Sequence, residues 1–268
     1  MKEKIRVCLS GVTGWVGRGL APAILEAPDL ELSAAVSRSQ AGRKVAEALE
    51  GIDSEVRIRA SVAEALETPC DVLVDYTSSH AALDNVLAAV DRGVHVVVGT
   101  SGLDDADYAR IDRAARERSV GVLAAGNFAL TAVLLQRLAE TAARHLPQWE
   151  ILEYARAQKP DAPSGTAREL AARLGRVRAS DAAPAAADSK SLREARGATL
   201  HGAQVHSVRL PGFVSSIEIL FGLPEERLSI RHDSGSGSGP YVAGTLLAIR
   251  KVGGVVGLRR GLDTVMEL

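Results

Sequence analysis

Within the run from Trp149 to Leu170, WEILEYARAQKPDAPSGTAREL, two cations, Arg156 and Lys159, stand just ahead of Ser164-Gly165-Thr166. Apolar residues then recur at helical spacing from Ala167 to Leu174. A hydroxylated loop that feeds a helix start offers unpaired backbone N–H groups and the positive end of the helix dipole. With cations beside it, such a loop is an anion receptor, and a carboxylate is a fitting guest. The apolar, carboxylate-interrupted WEILEYA ahead of it suits a strand, and Pro160 and Pro163 stiffen the turn between them. A solvated turn with a Ser or Thr cap has the same composition. The segment therefore takes its meaning from the rest of the chain.

A second constellation opens the sequence. Ile5 to Leu9 is a short apolar run of the kind that forms a buried parallel strand. Gly11-Val12-Thr13-Gly14-Trp15-Val16-Gly17 follows, and Leu20, Ile24 and Leu25 continue with helical periodicity. Glycines between strand and helix permit a tight turn, close approach of backbone to a pyrophosphate, and close helix–strand packing. The spacing is GxxGxxG rather than GxGxxG, yet its place between strand and helix favours dinucleotide binding. Leu30 to Val36 reads as the next strand and puts Ser37 and Arg38 about twenty residues past the last glycine, where NAD sites carry an acidic residue. Ser37 is uncharged. Arg38, with Arg43 or Lys44 to help, suits a 2′-phosphate and so predicts NADPH in preference to NADH; the plainer alternative is a surface arginine at a strand end.

These two constellations must be held by regular elements, and the pattern supplies them. Asp71 to Tyr76, Val94 to Val98 and Val122 to Ala125 read as strands, alternating with helices over His80 to Val90 and Asp105 to Glu117. Repeated strand–helix units predict a doubly wound parallel sheet whose ligands bind at the strands' carboxyl ends. There lie Tyr76 with Thr77-Ser78-Ser79, Gly99-Thr100-Ser101-Gly102 and Gly126-Asn127-Phe128. Ala129 to His145 is an amphipathic helix. Arg176 to Ala198 is polar and aperiodic, which predicts a flexible surface excursion. Ala203 to Arg209, Val214 to Gly222 and Arg227 to Asp233 read as strands of an open, largely antiparallel sheet. Ser234 to Gly239, SGSGSG, is a hinge-like linker, and Tyr241 to Val252 a helix.

The composition sets limits. With 268 residues the chain suffices for two modest domains, and 46% hydrophobic with 24% charged residues describes a soluble globular protein. A net charge of −1 argues against bulk attraction to nucleic acid or membrane. No zinc-ligand spacing, repeat or membrane-length apolar run is present, and no metal is expected. Cys8 and Cys70 lie in apolar strand contexts and read as buried free thiols. With no visible signal peptide, a cytoplasmic protein is expected.

KPDAPSGTA after a Glu-bearing strand resembles the signature of the dihydrodipicolinate reductase family. Gly99 to Gly102, Asn127-Phe128, VHSVRLPG at Val205 to Gly212, IRHDS at Ile230 to Ser234 and the tail GLRRGLDTVMEL are similar to further segments of that family. The resemblance implies an α/β protein with a Rossmann-like dinucleotide-binding domain over residues 1–127, completed by 240–268. A smaller α+β domain with an open mixed sheet, 128–239, would hold the substrate and the oligomer contacts. It implies NAD(P)H-dependent reduction of 4-hydroxy-tetrahydrodipicolinate on the diaminopimelate route to lysine, by a homotetramer joined through the substrate-domain sheets. Gly11, Thr13, Gly14, Trp15, Val16, Gly17, Ser37 and Arg38 would face the cofactor, as would Tyr76, Thr77, Gly99, Thr100, Ser101, Gly126, Asn127 and Phe128. Arg156, Ser164, Gly165 and Thr166 would hold a small dicarboxylate.

The departures fall at the chemistry. Family members carry a His-His pair where this chain has Ala155 and Arg156, and a His-Gln pair where it has Ser216 and Ile217; Ala129 and Thr131 also depart. Alanine transfers no proton. Lys159, directly or through a water, is the expected donor, with Tyr154, His206 and His232 as the other candidates. Two further readings follow from the same departure: reduction of a different imine or conjugated ene-acid, and a silent nucleotide-binding paralogue. Because the nicotinamide-side loops and the Ser-Gly-Thr loop belong to different domains, catalysis would require closure about the interdomain connections.

Overall fold

The computed structural model describes residues 3–181 and 193–267. In chain order the elements are β1 (Ile5–Ser10), α1 (Gly17–Glu26), β2 (Leu30–Val36), α2 (Val45–Ala48), β3 (Ile58–Arg59), α3 (Val62–Ala65) and β4 (Val72–Asp75). There follow α4 (Ser79–Asp91), β5 (His95–Val98), α5 (Asp105–Glu117), β6 (Gly121–Ala124), α6 (Leu130–His145), β7 (Gln148–Ala155) and α7 (Gly165–Val177). The chain ends with β8 (Ala198–Leu200), β9 (Ala203–Arg209), β10 (Ser215–Leu223), β11 (Glu226–Ser234), α8 (Gly239–Val252) and β12 (Gly257–Arg260). Two compact units result, one reaching Leu130 and resuming at Ser238, the other spanning Thr131–Gly237. Among the described residues no helix is long and apolar enough to cross a membrane.

The first unit is a Rossmann-like parallel sheet in the order β12-β6-β5-β4-β1-β2-β3. Its central strands are covered on both faces, which is why they read as unbroken apolar runs: every residue of β4 and β6 is buried. Helices α4 and α5 bury Val86, Ala89, Val90, Ile111 and Ala115 against one face. Asp104 starts α5 by accepting the Asp107 N–H at 2.8 Å, while Asp107 bonds back to the Asp104 N–H. Because β1 lies between β2 and β4, the chain reverses its winding there, and such a reversal leaves a crevice at the strands' carboxyl ends.

The second unit is a mixed sheet ordered β11-β10-β7-β9-β8, parallel only between β7 and β9. Strict alternation along β7 buries Trp149, Ile151, Glu153 and Ala155 on one face. Leu135 and Ala139 of α6 and Leu170, Ala171 and Leu174 of α7 pack on that face with Ile217, Ile219 and Phe221.

Three sequence expectations need correction. The strand runs after residue 202 do not form a consecutive sheet, because β7 enters between β9 and β10 and is parallel to β9. The stretch 176–198 is not one excursion: Arg176 and Val177 finish α7, and the Ser180 hydroxyl donates to the Trp149 carbonyl at 2.9 Å. Arg193–Arg196 is a 3-10 turn, while 182–192 lie outside the described residues. The linker is shorter than SGSGSG suggests, since β11 runs to Ser234 and α8 starts at Gly239.

Candidate active site

The glycine turn has the geometry its residue types require. Gly11 sits at φ +84°, and a Cβ there would lie 2.2 Å from the Tyr76 carbonyl. A Cβ on Gly17 would lie 2.1 Å from the Gly11 carbonyl, so only glycine lets α1 start hard against the turn. Beside the turn opens a cleft of about 760 Å³ whose wall includes Gly11, Thr13, Gly14, Ser37, Arg38 and Asn85. A neighbouring cleft of about 450 Å³ is lined by Trp15, Val16, Tyr76, Gly99, Thr100 and Ser101, among others. Gly14 and Thr77 border both.

Most of the residues expected to face a cofactor are thus gathered at two adjoining clefts. Thr13 and Ser37 join their hydroxyls at 2.7 Å, and Ser37 reaches Ser39 at 3.4 Å. Arg38 is exposed on the cleft wall. Its suggested helpers are engaged elsewhere: Arg43 donates to Gln40 at 2.6 Å and to the Glu47 carbonyl, and Lys44 pairs with Glu55 at 2.5 Å. Gly126, Asn127 and Phe128 border neither cleft. Asn127 Oδ1 accepts the Ala129 N–H at 2.8 Å, and Phe128 is buried with its ring centroid 6.0 Å from that of Tyr76. The Tyr76 hydroxyl meets Thr245 Oγ1 at 2.8 Å, and burial pushes the phenol's pKa up.

The anion receptor lies in the second unit. Ser164 caps α7, its hydroxyl accepting the Ala167 N–H at 3.3 Å. This leaves the N–H groups of Gly165 and Thr166 at the helix start. A Cβ at Gly165 would meet nothing within 4 Å, so the loop is open at that point. Beneath it lies Glu153, 2% exposed, whose Oε1 accepts the Ser164 N–H at 2.9 Å, the Ser207 hydroxyl at 2.7 Å and Arg209 Nη2 at 2.6 Å. Burial works to raise the Glu153 pKa, but the bonds from Ser164, Arg209 and Ser207 prevail and hold it below the ordinary carboxylate range. Arg209 also donates to the Asp161 carbonyl at 2.6 Å, tying the same turn to β9.

Lys159 pairs with Asp161 at 2.6 Å, and its N–H donates to the Arg156 carbonyl at 3.0 Å. The ammonium depresses the Asp161 pKa, chiefly through that side-chain bond. Arg156 is exposed. Pairing register sorts the remaining proton-donor candidates. His206 is opposite Leu152, and Tyr154 is two residues from Leu152, so both belong to the sheet face away from Glu153 and Ser164. There His206 Nε2 meets Glu150 at 2.7 Å, and the Tyr154 hydroxyl donates to Glu218 at 3.4 Å. His232 pairs with Ile217, which pairs with Glu153, so it shares the receptor's face; burial lowers its pKa.

The sequence reading gave no part to Glu153, Arg209, Asp161, Asp75 or Asn85. Asp75 is fully buried at the end of β4, and Asn85 bonds to it from α4. A carboxylate at the last position of a buried apolar strand was the available signal.

The family profile "Dihydrodipicolinate reductase, N-terminus" matches residues 5–128, and the profile for the C-terminus matches 131–265. The chain belongs to the dihydrodipicolinate reductase family. It is 37% identical to a 4-hydroxy-tetrahydrodipicolinate reductase of Desulfitobacterium hafniense over 99% of this chain and 100% of the relative. Identity to the enzyme of that name from Thermosynechococcus vestitus is 39%, covering 99% and 98% of the two chains. The dipicolinate-bound dihydrodipicolinate reductase of Paenisporosarcina sp. TG-14 superposes with a TM-score of 0.88 at 30% identity, covering 98% of this chain and all of that one. An amine dehydrogenase of Mycobacterium smegmatis, 17% identical with a TM-score of 0.68, shares the fold.

Proposed function

We propose that this chain reduces 4-hydroxy-tetrahydrodipicolinate to tetrahydrodipicolinate with NADPH and a proton, the 4-hydroxyl leaving as water, as a step of diaminopimelate and lysine biosynthesis. The carrying observation is that a reductase of that name aligns with 99% of this chain over its own full length. The first unit's geometry fits a dinucleotide. A glycine turn that a Cβ would fill precedes a helix start, and the buried Ser10 hydroxyl on the cleft wall has no partner among the described residues. Bound there, a reduced nicotinamide supplies a hydride. Arg38 beside uncharged Ser37 supports the preference for a 2′-phosphate, to which an arginine gives charge-assisted bonds.

In the second unit, Ser164, Gly165 and Thr166 offer the dicarboxylate a hydroxyl and helix-start N–H groups, and Arg156 clamps it from the strand exit. Lys159, directly or through a water, donates the proton that completes the reduction. This assignment is supported by its place five residues before the receptor loop, where the ion pair with Asp161 holds the ammonium at the turn. The assembly proposed is a homotetramer joined through the sheet face that carries Leu152, Tyr154 and Arg231, acting in the cytoplasm.

The test is NADPH oxidation, followed by absorbance, with the condensation product of pyruvate and aspartate semialdehyde. Oxidation that depends on that product is expected. Tight NADPH binding with no oxidation would overturn the assigned substrate.

A further inference from the structure

Asp75 has no part in the chemistry above, yet its carboxylate gathers bonds from three side chains of separate segments. It is 0% exposed at the last position of β4. Thr100 Oγ1 donates to its Oδ1 at 2.6 Å, and Thr77 Oγ1 donates to Oδ1 at 2.9 Å. Asn85 Nδ2 donates to Oδ2 at 2.8 Å, and the Thr77 N–H reaches Oδ1 at 3.3 Å while also donating to Thr100 Oγ1 at 2.8 Å. Each of these partners is neutral.

The partners come from separate places around the two clefts. Asn85 lies on α4 and lines the 760 Å³ cleft. Thr100 follows β5 and lines the 450 Å³ cleft, while Thr77 borders both. Asp75 is also the register partner of Ser10, whose unpartnered buried hydroxyl is on the wall of the larger cleft. One carboxylate therefore fixes a wall of each cleft. Buried polar networks of this kind rigidify what they join, and losing one member exposes the others as unsatisfied groups.

We infer that Asp75 is a positioning residue that couples the two halves of the dinucleotide site, holding Asn85 on the adenosine side and Thr100 on the nicotinamide side in one bonded unit. The inference rests on the proposed use of both clefts by one dinucleotide. A neutral amide at this position keeps one acceptor oxygen but loses the charge and sets a donor in place of the other oxygen, so Asp75→Asn weakens the network without changing its volume.

The test measures binding, not turnover, by titration calorimetry with NADPH and with adenosine 2′,5′-bisphosphate as the half-site probe. Asp75→Asn is expected to weaken NADPH about tenfold or more and the bisphosphate as well. Asn85→Ala and Thr100→Val should each weaken both ligands, because each loosens the unit that Asp75 ties together; a Thr100→Val variant that weakens NADPH and spares the bisphosphate would overturn the coupling. In the Asp75→Asn background, Thr100→Val should have a smaller effect than in wild type, because the carboxylate that ties Thr100 to Asn85 is already gone. Thermal midpoints are recorded alongside, since a merely structural carboxylate would lower stability and leave both dissociation constants alone.

Unchanged affinities in the variants, with wild type binding NADPH, would overturn the inference and leave the proposed function standing. Additive losses from Asp75→Asn and Thr100→Val would also overturn it, because Thr100 would then act independently. If Asp75→Asn does not fold, Asn85→Ala and Thr100→Val decide, and wild-type affinities in both overturn the coupling. Failure of the wild-type chain to bind NADPH or NADH would overturn the proposed function, and this inference with it.

Discussion

Two buried carboxylates, Asp75 in the first unit and Glu153 in the second, sit beneath the loops proposed to meet the ligands, and they are compensated differently. Among the described residues Asp75 receives neutral donors, from Thr77, Thr100 and Asn85. Glu153 receives Ser164 and Ser207 but also the guanidinium of Arg209. The difference follows the charge of the proposed guests. A carboxylate under a receptor for carboxylates would repel its ligand at short range, where low polarisability makes charges strong; Arg209 cancels it. On the nicotinamide side the proposed guest carries no anionic group at its reactive end, and in the larger cleft Arg38 is the cation proposed to meet the 2′-phosphate, so neutral donors suffice around Asp75.

The comparison is broken most severely at Lys159, the proposed proton donor, whose loss would separate chemistry in the second unit from cofactor binding in the first. Lys159→Ala should lower kcat by about 10²- to 10⁴-fold, the usual cost of a lost general acid. NADPH affinity should remain that of wild type, because the clefts lie in the other unit. A variant with near-wild-type kcat would remove Lys159 from the chemistry and leave His232, on the same sheet face, as the next donor to test.

Arg209 tests the compensation itself. Arg209→Ala leaves Glu153 buried without its cation, and breaking a buried pair from one side costs about 3–5 kcal/mol. Denaturant midpoints should show this loss, with Glu153→Gln in the same background restoring part of it. The pH dependence has a definite sign. Glu153 is held below its ordinary value of about 4.3, so its stabilisation is fully present above that pH and disappears as the pH falls through the folded value. Equal stability of Arg209→Ala and wild type near neutrality would show that Ser164 and Ser207 alone satisfy the carboxylate.

This difference between the units also explains which parts were legible in the sequence. Strand–helix alternation, the glycine turn and the Ser-Gly-Thr loop are local patterns, and α5 and β2 appear at the limits their periodicity gives. The two-residue β3 and the four-residue α2 and α3 are shorter than any period that could reveal them. Glu153 and Arg209 are 56 residues apart and meet only because β7 lies parallel to β9, a pairing no local pattern encodes. Asp75 is visible as an acid at a strand end, but its role depends on Thr100 and Asn85, which arrive from other elements.

A smaller effect is expected at the edge of the larger cleft. Arg38→Ala should erase a roughly ten- to hundredfold preference for NADPH over NADH, the equivalent of about 1.5–3 kcal/mol for hydrogen bonds to a charged group. Measured dissociation constants for the two cofactors check it. Because Arg43 and Lys44 are held by Gln40, Glu47 and Glu55, neither is expected to substitute. An unchanged ratio in Arg38→Ala would assign phosphate recognition to the hydroxyls of Thr13, Ser37 and Ser39 instead.

The smallest effect concerns acid stability at the opposite end of the first unit's sheet, where neither carboxylate acts. His95 begins β5, and its Nδ1 accepts the Gly121 N–H at 2.9 Å, joining β5 to β6 at their amino ends. Burial lowers its pKa from the ordinary value of about 6.5. A histidine depressed in the folded state binds its proton more readily when unfolded. Its stabilisation is therefore complete above about pH 6.5 and is lost as the pH falls through the folded value. Protonation at Nδ1 would also place a hydrogen where the Gly121 N–H now points. His95→Gln keeps an acceptor but cannot titrate, so between about pH 7 and about pH 5 it should lose less stability than wild type. Both carboxylates remain in this variant, which assigns the flattened slope to His95 alone. Parallel stability–pH curves for the two proteins would instead place the acid sensitivity in the second unit, where His232 is depressed by burial in the same direction.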